Sequence, residues 1–293
     1  MKSWCQLAVI TDEVSQDLDT VLAFAQEFQL DGIELRSLLG KAFKDLTRTE
    51  CVEIGRRAGE AGLAIPSCAT PVFKCDLESP VEIEQHVELF RRSVDIALDL
   101  ECTIIRVFNF LRRSHPSTNE DLIRAAEVFS QLIPIVQGTD LRIGLENEAS
   151  CLCATGEETA RFLSHLPPSP RVGVVWDPCN VLYVDGTTDP VHDEFPQIAS
   201  RVVHVHLKDA RRRGERAADT CVELGTGELD FPAQLSLLKQ RGYADWISLE
   251  THWRTVPLDG ETVHLPGGAV FSRDAEPASR ICMTNLQRLV AAA

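Results

Sequence analysis

The sequence predicts an α/β fold, a (β/α)8 barrel in a single domain over residues 1–293, and three observations lead there. Eight short apolar runs rich in strand-forming residues recur along the chain, each followed by a polar loop and a longer segment with helical periodicity. That alternation marks parallel βα units. The length, 293 residues, suits one closed barrel, a fold that uses roughly 250 residues. Closure is favoured over an open, doubly wound sheet because a ring leaves no strand edge unpaired.

In chain order the predicted strands are Leu7 to Ile10, Gly32 to Leu35, Ala64 to Ala69, Thr103 to Val107, Arg142 to Leu145, Val172 to Trp176, Val202 to Val205 and Trp246 to Leu249. Between the first two, Leu18, Val21, Leu22, Ala25 and Phe28 recur as one buried helical face requires; Ile83, Val87, Phe90, Val94 and Ala97 do the same before the fourth. After the eighth strand the rhythm breaks. Glycines and prolines between Arg254 and Pro277 predict a long loop at about 254–277, followed by a last helix around Ile281 to Val290. Loops on that face of a barrel shape the pocket. No linker, repeat or low-complexity tract divides the chain.

Composition narrows the class of partner. With 44% hydrophobic and 25% charged residues the chain can bury a substantial core. Its 29 lysines and arginines face 44 aspartates and glutamates, a net charge of -15, which repels phosphate-rich polymers and argues against nucleic acid. No apolar run is long enough to cross a bilayer, so no membrane partner is expected. The ten cysteines include no Cys-x-x-Cys pair, and the first residues carry no export signal. The expectation is a cytoplasmic protein with reduced, mostly buried thiols. Barrels of this size often form homo-oligomers, and the sequence sets no subunit number.

The C-terminal ends of barrel strands carry the chemistry of this architecture. Strand five ends in Glu146-Asn147-Glu148, strand six in Trp176-Asp177-Pro178-Cys179-Asn180, strand seven in His204-Val205-His206-Leu207-Lys208-Asp209, and strand eight in Leu249-Glu250-Thr251-His252. Each supplies a possible metal ligand, and the intervals between Glu146, Asp177, His206 and Glu250 each fit one βα unit, the last with an enlarged loop. Any single glutamate at a strand end is as readily a solvated loop residue; four in succession are harder to dismiss. Three carboxylates and one imidazole make a hard, oxygen-rich site that suits one divalent ion, Mn²⁺ first, with Mg²⁺ or Co²⁺ as alternatives. His204 and His206 share a face of their strand, and His206, nearer the rim, is favoured as ligand.

Taken together, Trp-Asp-Pro-x-Asn, His-x-His-x-Lys-Asp and the closing Leu-Glu-Thr-His resemble the xylose isomerase-like TIM-barrel superfamily, most closely its sugar phosphate isomerase/epimerase branch. The resemblance runs over nearly the whole chain, including Thr11-Asp12-Glu13, Gly32-Ile33-Glu34-Leu35-Arg36 and Thr70-Pro71-Val72-Phe73-Lys74 at the first three strand ends. It implies one metal ion held by Glu146, Asp177, His206 and Glu250, with Glu146 and Glu250 also moving protons on opposite faces of a sugar carbon through an enediolate. The activity it implies is a metal-dependent isomerase or epimerase of a small sugar, keto-sugar or polyol. The alternative within enzymes is a lyase, a keto-polyol dehydratase or an eliminase of an oxidised glycoside, because both reactions begin by removing a proton beside a carbonyl.

Accessory roles follow from barrel geometry. Lys208 is a candidate catalytic group, able to donate to a substrate oxygen; a salt bridge to Asp209 or a neighbouring carboxylate is the equal alternative. Lys74, Arg106, Asn109, Asn180 and His252 are candidate substrate-binding residues, although the asparagines also cap helices at such junctions. Glu34 and Arg36, turned to one side by strand alternation, read as a buried structural pair. Trp176, Phe73 and Phe108 read as core or pocket walls. The segment Glu223 to Asp230 offers backbone amides that suit a phosphate, but its acidic residues oppose one. An abasic-site endonuclease of the same superfamily is disfavoured by the acidic charge and by Asn180, where that branch places a second histidine. A non-catalytic binding subunit is disfavoured by the intact ligand set.

Overall fold

The eight apolar runs become eight parallel strands: β1 (Gln6–Ile10), β2 (Gly32–Glu34), β3 (Ser67–Ala69), β4 (Ile104–Val107), β5 (Arg142–Glu146), β6 (Val172–Trp176), β7 (Val202–Leu207) and β8 (Trp246–Leu249). The computed structural model describes residues 3–113, 116–186, 188–212, 217–218, 220–256 and 268–293. Hydrogen bonding joins the strands in the order β2-β1-β8-β7-β6-β5-β4-β3. The ring closes through two isolated parallel bridges, Gly32 with Ala64 and Leu35 with Cys68. At that closure a Cβ on Gly32 would sit 2.6 Å from the Ala64 carbonyl oxygen, so only glycine lets the backbones approach.

Strands buried on both faces must be apolar throughout, and Val172–Trp176 is buried at every position. The strand β3 is shorter than the sequence predicts because Pro66 has no N–H for the ladder; its carbonyl instead accepts from Thr103 and Ile104. The strand β7 is longer and takes in both His204 and His206.

Helices α1 (Leu18–Glu27), α2 (Arg48–Glu60), α3 (Pro80–Asp99), α4 (Asn119–Phe129), α5 (Gly156–His165), α6 (Pro178–Leu182), α7 (Phe195–Ile198), α8 (Phe231–Gln240) and α9 (Ala275–Ala292) surround the sheet. Their starts are locally encoded. Thr47 and Glu50 form a reciprocal capping box on α2, and Ser79, Thr118, Thr155, Asp177 and Asp230 each cap a helix with a side-chain oxygen. None of these helices is long and apolar enough to cross a membrane.

The last helix starts earlier than predicted, at Ala275, because Pro277 falls in its first turn, where a missing N–H costs nothing. Of the predicted loop at 254–277, residues 257–267 lie outside the described residues. Its flanks return to the barrel mouth: Gly268 N donates to Asp12 Oδ2 at 2.7 Å, and Arg254 Nη2 to the Phe271 carbonyl at 2.7 Å. Two short hairpins not foreseen from the sequence, Ser37–Leu38 with Lys41–Ala42 and Asp209–Ala210 with Cys221–Val222, also rise at this end.

Candidate metal centre

Strand register decides which side chains meet. His206 pairs with Ser248 across β7 and β8, Trp176 with Val205 across β6 and β7, and Glu146 with Val175 across β5 and β6. Consecutive strand ends thus bring Glu146, Asp177, His206 and Glu250 to one level of the barrel. Glu146, His206 and Glu250 each present a ligand atom, all within 4.8 Å of one another. His206 Nδ1 lies 2.9 Å from Glu146 Oε1.

Asp177 is aimed by its own helix. Its Oδ1 accepts from the amides of Cys179 (2.9 Å) and Asn180 (3.3 Å), capping α6, which leaves Oδ2 for the Lys208 ammonium. Asn147 fixes the backbone there: Asp177 N donates to Asn147 Oδ1 and Asn147 Nδ2 donates to the Asp177 carbonyl, both at 2.8 Å. Lys208 also donates to Glu250 Oε2 at 2.5 Å, so one ammonium bridges the carboxylates from β6 and β8.

These groups perturb one another strongly. Burial, opposed by Lys208 and reinforced by Glu250 and Glu146, pushes Asp177 up to about 7. Burial also raises Glu146, but Arg106 and His206 outweigh it and hold the carboxyl below its ordinary value. Glu250 lies well below the usual range: against burial stand Lys208, His252 and Arg36. Three buried carboxylates and an imidazole, gathered round a lysine that already supplies positive charge between two of them, match the donor set of a hard divalent cation. The residues present fit such an ion.

A cavity of about 570 Å³ opens above this cluster, its wall including Arg36, Lys74, Arg106, Asn180, Lys208 and His252. Lys74 Nζ lies 3.4 Å from Glu148 and 4.9 Å from the Phe108 ring centre. Arg106 stacks on the same ring at 4.3 Å, donates through Nη1 to the Thr70 carbonyl at 3.0 Å, and holds Nε 3.1 Å from Glu146 without hydrogen-bond alignment. Asn180 donates to the Asn147 carbonyl at 2.8 Å. His252, in the left-handed region at φ 49°, reaches Glu13 at 3.2 Å and Glu250 at 3.3 Å.

Asn109 is not brought to the cavity. It is fully buried and donates to Cys153 Sγ at 2.9 Å, because its strand end turns inward under the loop that carries Cys151 and Cys153. The expected Glu34–Arg36 pair is likewise replaced. Arg36 takes Asp12 (2.9 Å), Glu13 (2.7 Å) and Glu250 (2.5 Å), while Glu34 takes His204 and His206. Both side chains face inward as alternation requires, but better-placed partners from other strands win. Lys208 pairs with Asp177 and Glu250; Asp209 instead accepts from the amides of Gly225 (2.9 Å) and Gly227 (2.8 Å). A Cβ at Gly227 would collide with that carboxylate. The glycine-rich turn therefore cradles the protein's own anion.

Sequence reasoning passed over Asp12, Tyr183 and Cys221, which also line the cavity. Tyr183 Oη lies 3.0 Å from Cys221 Sγ, an approach between the end of α6 and a hairpin with no local sequence signal.

Comparison with known proteins agrees with this architecture. Residues 22–275 match the family model described as xylose isomerase-like TIM barrel. An inosose dehydratase of Serratia proteamaculans is 25% identical over 146 residues, 45% of this chain and 48% of that protein. The alignment therefore spans about half the length of the curated relatives matched. Among solved structures, the IOLI protein with a binding zinc atom superposes with a TM-score of 0.74 at 16% identity, covering 98% of each chain. A D-tagatose 3-epimerase-like protein does so with a TM-score of 0.71 at 18% identity, covering 97% of this chain and 98% of that one. At such identities these superpositions speak to the fold.

Proposed function

The chain belongs to the xylose isomerase-like TIM-barrel family, and from that premise we propose that it is a divalent-metal-dependent isomerase or epimerase of a small keto-sugar or polyol. The observation that carries this reading is the meeting of Glu146, His206 and Glu250 within 4.8 Å, beside Asp177, at the floor of a 570 Å³ cavity. These four side chains would hold the cation, with Mn²⁺ favoured by the oxygen-rich donor set. When bound, such an ion supplies Lewis-acid polarisation of a substrate carbonyl.

The protein's own groups do the rest. Glu146 and Glu250 come from strands on either side of β6 and β7, so one carboxylate takes and keeps the proton next to the carbonyl while the other, itself protonated, delivers its own proton to the opposite face. Arg36 and Arg106 hold these two carboxylates in place, and Lys208 donates to the oxygen on which negative charge develops. The substrate on this reading carries no phosphate at the β7 loop, whose amides Asp209 already occupies.

The experiment is incubation of purified protein with Mn²⁺ and a panel of unphosphorylated ketohexoses and inososes in deuterated water, followed by NMR. Deuterium incorporation with retention of the substrate's formula is expected; undiminished turnover after complete chelation would defeat the proposal. A second reading, dehydration, is favoured by Lys208, whose ammonium beside Glu250 is placed to protonate a departing hydroxyl, and by the inosose dehydratase relative. Loss of water from the product separates the two.

A further inference from the structure

Beneath the cavity lies a buried cluster of which the proposed chemistry uses only His206. Glu34 on β2 and His204, His206 and Ser248 on β7 and β8 are all completely buried. Glu34 Oε2 lies 2.9 Å from His204 Nε2, and both its oxygens lie 3.1 Å from His206 Nε2. His204 Nε2 is also 3.0 Å from Ser248 Oγ, while its Nδ1 has no hydrogen-bond partner among the described residues. The two imidazoles meet edge to face at 5.2 Å.

Protons can be assigned from these contacts. A buried N–H without an acceptor costs more than a bare lone pair, so the partnerless Nδ1 of His204 is the unprotonated nitrogen and its Nε2–H points at the carboxylate. A carboxylate only accepts. Glu34 therefore also requires a proton on His206 Nε2. The other nitrogen of His206, Nδ1, faces Glu146 at 2.9 Å, on the side where the ligand atoms of Glu146 and Glu250 gather.

We propose that Glu34 is a positioning residue: held across the barrel from β7, it keeps His206 protonated at Nε2 and aims the Nδ1 lone pair at the cation. This rests on the reading of Glu146, Asp177, His206 and Glu250 as the metal site and deepens it. The carboxylate sets the tautomer, fixes the ring plane and raises the basicity of the ligating nitrogen, as outer carboxylates do for metal-bound histidines. His204 shares the same carboxylate and packs against the His206 ring, so it limits rotation without facing the site.

The test is calorimetric titration of metal-free protein with Mn²⁺ or Co²⁺, comparing wild type with Glu34→Gln, alongside thermal melting of both. The expected result is one ion per wild-type chain and an affinity weakened about 10- to 100-fold in the variant. A carboxylate that merely supports the fold would lower the melting temperature and leave the metal affinity of the folded protein unchanged, which overturns the inference. Two ions per wild-type chain would also overturn it, by showing Glu34, His204 and His206 to be ligands of their own. If the variant does not fold, long-range ¹H–¹⁵N correlation on zinc-loaded wild-type protein decides. His206 protonated at Nε2 supports the role, and a proton on Nδ1 sinks it. Wild-type protein that binds no divalent ion would instead defeat the metal-site reading itself.

Discussion

Two aspartates follow neighbouring strands, Asp177 directly after β6 and Asp209 two residues beyond β7, and both are buried. Asp209 commits both oxygens to backbone: Oδ2 accepts from Gly225 and Gly227, Oδ1 from Ala210 and Leu229. Asp177 commits one oxygen to the first turn of α6 and turns the other towards Lys208. The difference teaches that a strand-end carboxylate becomes available for chemistry only to the extent that the adjacent backbone leaves an oxygen unclaimed. A helix start claims one oxygen; a glycine-rich turn claims two.

That contrast can be broken or sharpened by experiment. The largest effect belongs to Glu250, whose carboxylate touches both Lys208 and Arg36: Glu250→Gln should reduce turnover by about 10³-fold and weaken metal binding, measured by NMR exchange and calorimetry. Wild-type activity in that variant would contradict its role. Lys208→Met should slow turnover by about 10²-fold with metal binding retained, because it removes a donor rather than a ligand. Acid should weaken metal binding through Asp177. Burial and its carboxylate neighbours push it up to about 7, and a proton competes with the cation, so apparent affinity should fall about tenfold per pH unit below that value. The sign follows from the raised value: in metal-free protein the folded state holds a proton that the unfolded state has already released, so stability declines as pH rises from about 4 to 7, and Asp177→Asn should flatten that slope. The smallest effect belongs to Asp209→Asn, expected to cost about 1–3 kcal/mol in denaturant unfolding while leaving metal affinity unchanged.

Much of this was legible in the sequence for a physical reason. Strands buried on both faces read as unbroken apolar runs, and the polar residue that follows each one falls at the mouth, so the strand ends carrying Glu146, Asp177, His206 and Glu250 could be named from spacing. Period-two alternation also placed His204 and His206 on one face. What could not be read were partnerships across the lumen. Glu34 looked local to Arg36, yet its partners lie 170 and 172 residues away in the chain. Asn109 carried the signature of a strand end but turned towards Cys153, and Asp209 met its glycine amides through a hairpin that no short-range pattern announced.

The ring of staves is hooped unevenly. Ladders bind seven of its eight seams, but between β2 and β3 only two isolated bridges do so, carried by the amides of Ile33, Leu35, Ala64 and Ala69. Splitting should begin there, with those amides the earliest of the inner staves to exchange with deuterium. Glu34 stands on that loosest stave and grips the opposite wall through two imidazoles. It braces the weakest joint of the cask from within.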